Sequence, residues 1–162
     1  MREPHDETAG VLREEVHYDG RRMLCYADRP ASLQAMFEGL VARFPERPAV
    51  VEDATISYRE LDRLAGLIGA NLAALGVGPG DRVALYLGNA WEFVAVLFAC
   101  LRIGAVVVPI GARQRHAELE FMLNDSGAKV LVHEADLAEF IPTPTEVPGL
   151  AHRFCIRAAA AG

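Results

Sequence analysis

Two arginines stand where a phosphate-bearing ligand could bind. Arg113 and Arg115 lie in the segment Ile110–His116, which follows a predicted strand and leads into a predicted helix. In open α/β sheets, ligands bind outside the carboxyl ends of the strands, and the free amides of a helix N-terminus attract anions. The two guanidinium groups add permanent positive charge. The segment therefore indicates an anion-binding loop, and the alternative interpretation is an ordinary solvated basic loop.

Two other polar or glycine-rich segments are better explained by structure than by catalysis. The run Gly76–Gly80 resembles a nucleotide-binding loop in composition. A dinucleotide loop follows a strand and opens a helix, whereas these glycines follow a predicted helix and precede a strand, so they indicate a turn. Asn89 and Glu92 have the spacing of a capping box at a helix start. Trp91, in the same helical turn, is interpreted as a packing residue, and the alternative is that it forms the wall of a pocket.

The remaining reactive residue types have no spacing typical of a catalytic or metal centre. Lys129 is the only lysine, and it stands at the start of a predicted strand. The five histidines are dispersed along the chain, and Cys25, Cys100 and Cys155 form no CxxC pair. This pattern fits neither a disulfide framework nor a zinc knuckle. The sequence therefore assigns no catalytic residue and no metal ligand.

The composition is that of a globular protein. The chain has 162 residues, of which 52% are apolar and 23% charged, and its formal net charge is −6. The apolar share argues against extensive disorder, and an acidic chain lacks the basic face that nucleic acids require. Arg102 and Gly104 interrupt the most apolar stretch, and no signal peptide is recognisable. We therefore expect a cytoplasmic protein with no transmembrane segment and no nucleic-acid partner.

The hydrophobic pattern predicts an α/β fold in which strands and helices alternate after a small N-terminal β-hairpin. Asp19 and Gly20 mark the hairpin turn, and Ser57 and Glu60 form a capping box at a helix start. Apolar strands joined by helices are typical of a parallel sheet covered on both faces, and hence of a layered fold. Helices are predicted at 32–44, 57–75, 90–103 and 116–124, and strands at 48–52, 55–56, 82–87, 105–109, 129–133 and 151–156.

The order of several segments resembles the N-terminal part of AMP-forming acyl-CoA synthetases, members of the adenylate-forming ligase superfamily. The resemblance covers about residues 30–156, and the hairpin before it is similar to an extension found in some fatty-acyl and aryl members. The segments that carry it are Phe44–Val50, Ile56–Leu61, Gly76–Leu85, Asn89–Phe93, Gly104–Pro109 and Glu118–Leu131.

The resemblance implies a carboxylic acid–CoA ligase that uses ATP, Mg²⁺ and coenzyme A. The acid, fatty or aryl, would form an acyl-adenylate and then a thioester. It also implies that Arg113 contacts the phosphates of coenzyme A, although the usual Asn-Pro-Arg of the family is Gly111-Ala112-Arg113 here. The family's phosphate loop, ribose-binding aspartate and catalytic lysine lie beyond residue 162.

We therefore expect a truncated domain. Residues 1–30 form the extension with the hairpin, residues 31–156 a partial AMP-binding domain, and residues 157–162 a ragged end. The isolated chain should be inactive and should bind none of the cofactors tightly. It should also self-associate, because we expect Val106–Val108 and Leu131–Val132 to lie near an unpaired edge of the sheet. Two alternatives are a self-contained, non-catalytic binding or regulatory module and an unrelated flavodoxin-like binding domain.

Overall fold

The structure, a computed structural model, describes residues 10–52 and 54–157. The expected ragged end, residues 157–162, lies outside this part except for Arg157. A short 3-10 helix (Ala135–Phe140) follows the seventh strand. The other elements are, in chain order, β1 (Leu12–His17), β2 (Arg21–Tyr26), α1 (Leu33–Arg43), β3 (Pro48–Val51), β4 (Thr55–Ser57), α2 (Tyr58–Ala74), β5 (Arg82–Tyr86), α3 (Trp91–Ile103), β6 (Val106–Ile110), α4 (His116–Ser126), β7 (Val130–Glu134) and β8 (His152–Ile156).

The N-terminal hairpin is confirmed, with a turn of three residues. Strands β1 and β2 are antiparallel and pair from Leu12 opposite Tyr26 to His17 opposite Arg21. The turn residues Tyr18, Asp19 and Gly20 all have positive φ, at 43°, 59° and 91°. Glycine adopts this left-handed region without strain, and aspartate tolerates it better than most residues.

The two helices that flank the small sheet β3–β4 begin at serine caps. Ser32 Oγ accepts a hydrogen bond from the amide of Ala35 at 3.1 Å, and Ser57 Oγ accepts one from Glu60 at 3.2 Å. The predicted capping box at the start of α2 is only half formed. The Glu60 carboxylate pairs with Arg63 one turn later instead of reaching back to the cap.

The second half of the chain forms a parallel four-stranded sheet, as predicted. The strand order is β6-β5-β7-β8, and every pair in it is parallel. The register places Tyr86 between Ile110 on one side and His133 on the other. Leu131 and Val132 therefore lie on an internal strand, and the expectation that they border an unpaired edge is wrong. Strands β6 and β8 form the two edges.

Alternate side chains of the sheet enter two separate cores. Val83 and Leu85 pack toward α2 and α3, whereas Ala84 and Tyr86 pack toward α4 and the segment 142–150. All four residues are fully buried. A third core joins α1, α2 and α3, where the rings of the aromatic pair Phe37 and Phe98 stack 3.9 Å apart. Helices on both faces explain why the strands are apolar throughout.

The glycine run after α2 is a helix-to-strand turn at the amino edge of the sheet. Gly76 and Gly80 have φ of 79° and 81°. The Asp81 carboxylate accepts a hydrogen bond from Gly78 N at 2.9 Å, and Lys129 Nζ donates to Gly76 O at 2.5 Å and pairs with Asp81 at 3.1 Å. The only lysine therefore stabilises this turn, at the end of the sheet opposite to where ligands bind in such folds.

No helix among residues 10–52 and 54–157 has both the length and the apolar character needed to cross a bilayer.

Candidate functional site

The loops that follow β5, β6 and β7 meet at the carboxyl edge of the sheet. Strand β5 has β6 as its neighbour on one side and β7 as its neighbour on the other. The direction in which successive strands are added to the sheet therefore reverses at β5. Such a reversal is where open α/β sheets form their binding crevice. Within this crevice the Glu134 carboxylate accepts a hydrogen bond from Gly88 N at 3.0 Å. This contact has no local sequence signature, because its partners are 46 residues apart.

A hydrogen bond from Tyr86, on the buried strand β5, holds the loop that follows β6. The Tyr86 hydroxyl donates this hydrogen bond to Gln114 O at 2.6 Å, and Gln114 N donates to Gly111 O at 3.0 Å. Burial raises the pKa of the Tyr86 phenol, so the hydroxyl remains a donor at neutral pH. The backbone that carries Arg113 is thus fixed by the core of the sheet. The sequence analysis assigned Tyr86 no role.

The two arginines of this loop have different environments. Arg115 donates to Ala112 O at 3.2 Å, and its guanidinium lies 4.3 Å above the centre of the Phe140 ring. Arg113 is exposed, and among residues 10–52 and 54–157 its side chain makes no hydrogen bond or ion pair. Arg115 is therefore committed to the loop itself, whereas Arg113 can contact a ligand.

The start of α4 already holds a carboxylate. Glu118 Oε2 accepts a hydrogen bond from Arg115 N at 2.8 Å. This carboxylate satisfies one of the free amides at the helix N-terminus and complements the helix dipole. Anion binding at this loop would therefore rest on the Arg113 guanidinium more than on the helix start.

A cavity of about 460 Å³ opens between β3, the start of α3 and the end of β6. Its walls are mainly apolar, and they include Trp91, which also packs into the α1–α2–α3 core. The interpretation of Trp91 as a packing residue is therefore correct, and the residue lines a cavity as well. The other lining residues are Val50, Val51, Glu52, Leu87, Gly88, Asn89, Ala90, Phe93, Val94, Pro109, Ile110 and Gly111.

The start of α3 is capped from another element, and the predicted capping box there is wrong. Asn89 is exposed, and Ala90, at the cap position, offers no side-chain hydrogen bond. Instead, Trp91 N donates to Glu52 Oε2 at 2.9 Å. Glu92, the predicted second half of the box, pairs with Arg157 at 2.8 Å. Spacing along the chain cannot reveal a cap supplied from a distant strand.

Arg157 joins three parts of the fold. Its guanidinium lies 2.8 Å from Glu52 at the end of β3 and 2.8 Å from Glu92 at the start of α3. These ion pairs raise the pKa of Arg157, and the Arg157 hydrogen bond is the main cause of the lowered pKa of Glu52. Both Glu52 and Glu134 are thus occupied by partners within the chain.

This occupancy limits which cofactor groups the carboxyl edge can hold. A magnesium ion needs oxygen ligands free to approach it, and neither Glu52 nor Glu134 is free. A phosphate group needs a cation, and Arg113 is available in that role. The described carboxyl-edge loops therefore fit a phosphate contact better than they fit a magnesium ion at Glu52 or Glu134.

Two groups of possible metal ligands occur elsewhere among the described residues, and the sequence analysis recognised neither. The first is Glu15, His17 and Cys25 on the hairpin, and the second is His116, Glu120 and Glu146 near α4. In each group the ligand atoms lie within 4.8 Å of one another. Strand pairing and loop packing create these groups, so they have no short sequence signature.

A second cavity, of about 580 Å³, lies between α2, α3 and the strands β7 and β8. It is lined mostly by apolar side chains, and Phe154 on β8 is 39% exposed. The lining residues are Ile68, Asn71, Leu72, Ala74, Leu75, Trp91, Glu92, Val96, Val132, Phe154 and Ile156.

Comparison with known proteins identifies the family. The family model that describes AMP-binding enzymes matches residues 37–158 of this chain. A long-chain-fatty-acid–CoA ligase, FadD13 of Mycobacterium tuberculosis, is 39% identical over 100 residues, 60% of this chain and 20% of the relative. A feruloyl-CoA synthase of Amycolatopsis is 44% identical over 99 residues, 60% of this chain and 20% of the relative.

A solved structure of a Mycobacterium tuberculosis fatty acyl CoA synthetase has the same fold. It superposes with a TM-score of 0.71 at 30% identity, and the match covers 75% of this chain and 26% of that one. The chain thus spans about a fifth to a quarter of the length of these relatives. The strand order alone would also suit a flavodoxin-like sheet, so the family match is what decides: the chain belongs to the AMP-binding enzymes and corresponds to the N-terminal part of an adenylate-forming ligase.

Proposed function

We propose that this chain is the N-terminal part of an AMP-forming ligase that joins a fatty or aryl carboxylic acid to coenzyme A. The observation that carries the proposal is the family match over residues 37–158. The names of two similar proteins, a long-chain-fatty-acid–CoA ligase and a feruloyl-CoA synthase, support an acid of either the fatty or the aryl class.

The proposed reaction has two steps. In the first step a carboxylate oxygen attacks the α-phosphorus of ATP, and pyrophosphate leaves with its magnesium. In the second step the sulfur of coenzyme A attacks the carbonyl carbon of the acyl-adenylate, and AMP leaves while the thiol proton passes to a base. The described residues act in this scheme by placing Arg113 at the carboxyl edge, where its guanidinium contacts a phosphate of coenzyme A.

The 162-residue chain by itself should not catalyse either step. Stabilising the charge that develops on the transferring phosphoryl group is the largest catalytic contribution in such reactions. Lys129, the only lysine, is held at the opposite edge of the sheet by Gly76 and Asp81. The chain therefore lacks a lysine that could reach the phosphates, and ATP and coenzyme A should bind to it only weakly.

The free cysteines support a reducing, cytoplasmic compartment for the complete protein. Cys25, Cys100 and Cys155 are all unpaired. Burial raises the pKa of the Cys100 thiol to about 12, so this thiol stays protonated and inert.

A chimera tests the proposal. The segment of FadD13 equivalent to residues 37–158, the range that the family model matches, is replaced by the corresponding segment of this chain. Pyrophosphate release and thioester formation are then measured with a panel of fatty and aryl acids. We expect acid-dependent pyrophosphate release and thioester formation by the chimera and neither by the 162-residue chain. The FadD13 remainder without any N-terminal segment is the control.

Two results would contradict the proposal. A chimera that folds cooperatively but forms no acyl-adenylate with any acid of the panel would show that this segment does not belong to a ligase. Turnover proportional to the amount of the pure 162-residue chain would show that the chain is catalytic without the missing parts.

A further inference from the structure

The hairpin β1–β2 gathers three different metal-ligating side chains on one face. Glu15 and His17 are two residues apart on β1 and therefore point to the same side, and Cys25 on β2 pairs with Arg13 on that side. His17 Nε2 lies 2.7 Å from Glu15 Oε2 and 3.8 Å from Cys25 Sγ. All three residues are partly buried.

These distances are close to those that a tetrahedral metal site requires. With zinc–nitrogen and zinc–oxygen bonds of about 2.0–2.1 Å and zinc–sulfur bonds of about 2.3 Å, tetrahedral ligand atoms lie roughly 3.3–3.6 Å apart. The nitrogen–sulfur distance exceeds this range by a few tenths of an ångström, and the nitrogen–oxygen distance falls short by about half an ångström. Small side-chain rotations are therefore enough to place an ion between the three groups.

The chemistry of the set favours a transition metal over calcium or magnesium. A thiolate and an imidazole are ligands that Zn²⁺ and its neighbours prefer, whereas Ca²⁺ and Mg²⁺ require oxygen. Three protein ligands leave a fourth tetrahedral position for water.

A cation of the chain already occupies the centre of this group. Arg29 Nη2 donates a hydrogen bond to Glu15 Oε2 at 2.6 Å and lies 3.4 Å from His17 Nε2. Arg13 Nε lies 2.5 Å from the other carboxylate oxygen of Glu15. The guanidinium of Arg29 therefore stands where a metal ion would bind, and the two cations exclude each other through charge and space.

We propose that Glu15, His17 and Cys25 form a binding site for a transition metal ion, with Zn²⁺ as the reference ion, and that Arg29 is an internal cation that the metal must displace. The site is independent of the ligase reaction, because it lies on the hairpin and not at the carboxyl edge of the sheet. In this proposal the Arg29 side chain lowers the affinity for the metal, and it keeps the Glu15 carboxylate paired when no metal is bound.

The test uses the full 162-residue chain with Zn²⁺ and Co²⁺ at low ionic strength. Calorimetry gives the affinity, and Co²⁺ reports a thiolate ligand through charge-transfer absorption in the near ultraviolet. Cys25→Ser should remove that absorption and weaken binding by at least about tenfold, since even the loss of a residue that only supports a ligand costs about 10–100-fold. His17→Gln should weaken binding by a similar factor.

Arg29→Gln is the decisive variant because it predicts a gain. Removal of a positive charge next to the ion should tighten Zn²⁺ binding by about fivefold or more. Cys155→Ser and Glu120→Gln are matched controls, since Cys155 is an exposed thiol outside the hairpin and Glu120 belongs to the second ligand group. Both should leave the affinity unchanged.

Any of three results would overturn the proposal. They are Co²⁺ binding without thiolate absorption, an affinity that Arg29→Gln leaves unchanged or weakens, and a loss of binding in Glu120→Gln but not in Cys25→Ser. The last result would move the site to the group formed by His116, Glu120 and Glu146.

Discussion

Arg113 and Arg115 show how neighbouring residues of one type acquire different surroundings. Both are exposed, but the guanidinium of Arg115 is held by a backbone carbonyl and by the ring of Phe140, whereas that of Arg113 has no hydrogen bond or ion pair among the described residues. Arg115 thereby stabilises the loop that presents Arg113. The distinction depends on what surrounds each side chain, and it determines which of the two substitutions should affect a ligand.

In the FadD13 chimera, Arg113→Ala should raise the KM for coenzyme A by about five- to thirty-fold. A charge-assisted contact with an exposed phosphate contributes roughly 1–2 kcal/mol, which corresponds to that range. Pyrophosphate release in the adenylation step should hardly change, since coenzyme A does not take part in it. Steady-state kinetics of both half-reactions checks this. Arg59→Ala, at an exposed arginine on α2, is the control.

The opposite pattern would contradict the assignment. If Arg113→Ala slows pyrophosphate release and leaves the coenzyme A dependence unchanged, the side chain acts on the ATP side or stabilises the loop.

Glu52 links ionisation to stability. Its pKa lies below the ordinary value of 4.5, chiefly because Arg157 and the Trp91 amide donate hydrogen bonds to the carboxylate. A lowered native pKa means that the unfolded state binds the proton more tightly than the folded state. The ionised Glu52 therefore adds to the free energy of unfolding above about pH 4.5, and this stabilisation is lost as the pH falls further. We expect the thermal midpoint of Glu52→Gln to fall less between pH 6 and pH 3 (roughly the window set by this pKa) than that of the wild type. Equal slopes would contradict this expectation.

Helices α3 and α4 end at glycines in a left-handed backbone conformation that is unfavourable for most residues with a Cβ. Gly104 and Gly127 stop α3 and α4 in the left-handed conformation, with φ of 74° and 60°. These helix ends set the direction in which β6 and β7 enter the sheet, and Gly80 N donates a hydrogen bond to Gly104 O at 2.9 Å. The glycine stops thus link the two turns at the amino edge.

Gly104→Ala should lower the free energy of unfolding by about 1–2 kcal/mol, the cost of a left-handed conformation for a residue with a Cβ. The new Cβ would also lie 3.3 Å from Pro79 Cβ, tighter than ordinary contact. Gly78→Ala is the matched control, because a Cβ there meets nothing within 4 Å. Urea denaturation of both variants checks the difference. Equal losses would show that the conformation of Gly104 is not the cause.

The whole described fold leaves apolar groups without partners within the chain. Strand β6 forms one edge of the sheet, with Val106 48% exposed, and the second cavity exposes the apolar side chains between α2 and β8. An exposed edge strand offers its free backbone groups to other chains.

We therefore expect the isolated 162-residue chain to self-associate and to bind a dye that reports exposed apolar surface. Val106→Lys should reduce the association, since a charge on an edge strand opposes pairing with other chains. Leu67→Lys, at a residue 52% exposed on α2, should have less effect. Light scattering and sedimentation measure both. A monodisperse wild-type monomer that binds no dye would contradict this prediction and favour a self-contained module.

The sequence predicted the elements of this fold well because their signals are local. The serine caps at Ser32 and Ser57, the glycine stops and the apolar periodicities each act within a few residues. The parallel sheet follows from the alternation of apolar strands with helices. Arg113 was singled out because strand, loop and helix are adjacent in sequence, and its contact with coenzyme A stays a prediction.

The features that sequence reasoning missed all depend on contacts between distant segments. Glu52 caps α3 from 39 residues away, Glu134 bonds Gly88 across 46 residues, and the metal-ligand group on the hairpin forms only when two strands pair. Leu131 was placed near an edge because the strand order, β6-β5-β7-β8, cannot be read from the order of strands along the chain.

The ion pairs of Arg157 have a consequence for how the protein is made. Glu52 and Arg157 are 105 residues apart, and ribosomes add about 5–20 residues per second. Glu52 is therefore synthesised roughly 5–20 s before the arginine that pairs with it, and Glu92, which is 65 residues from Arg157, roughly 3–13 s before it. During this interval the nascent chain exposes two unneutralised glutamates and an open apolar cavity, and it is then that chaperones have most to protect.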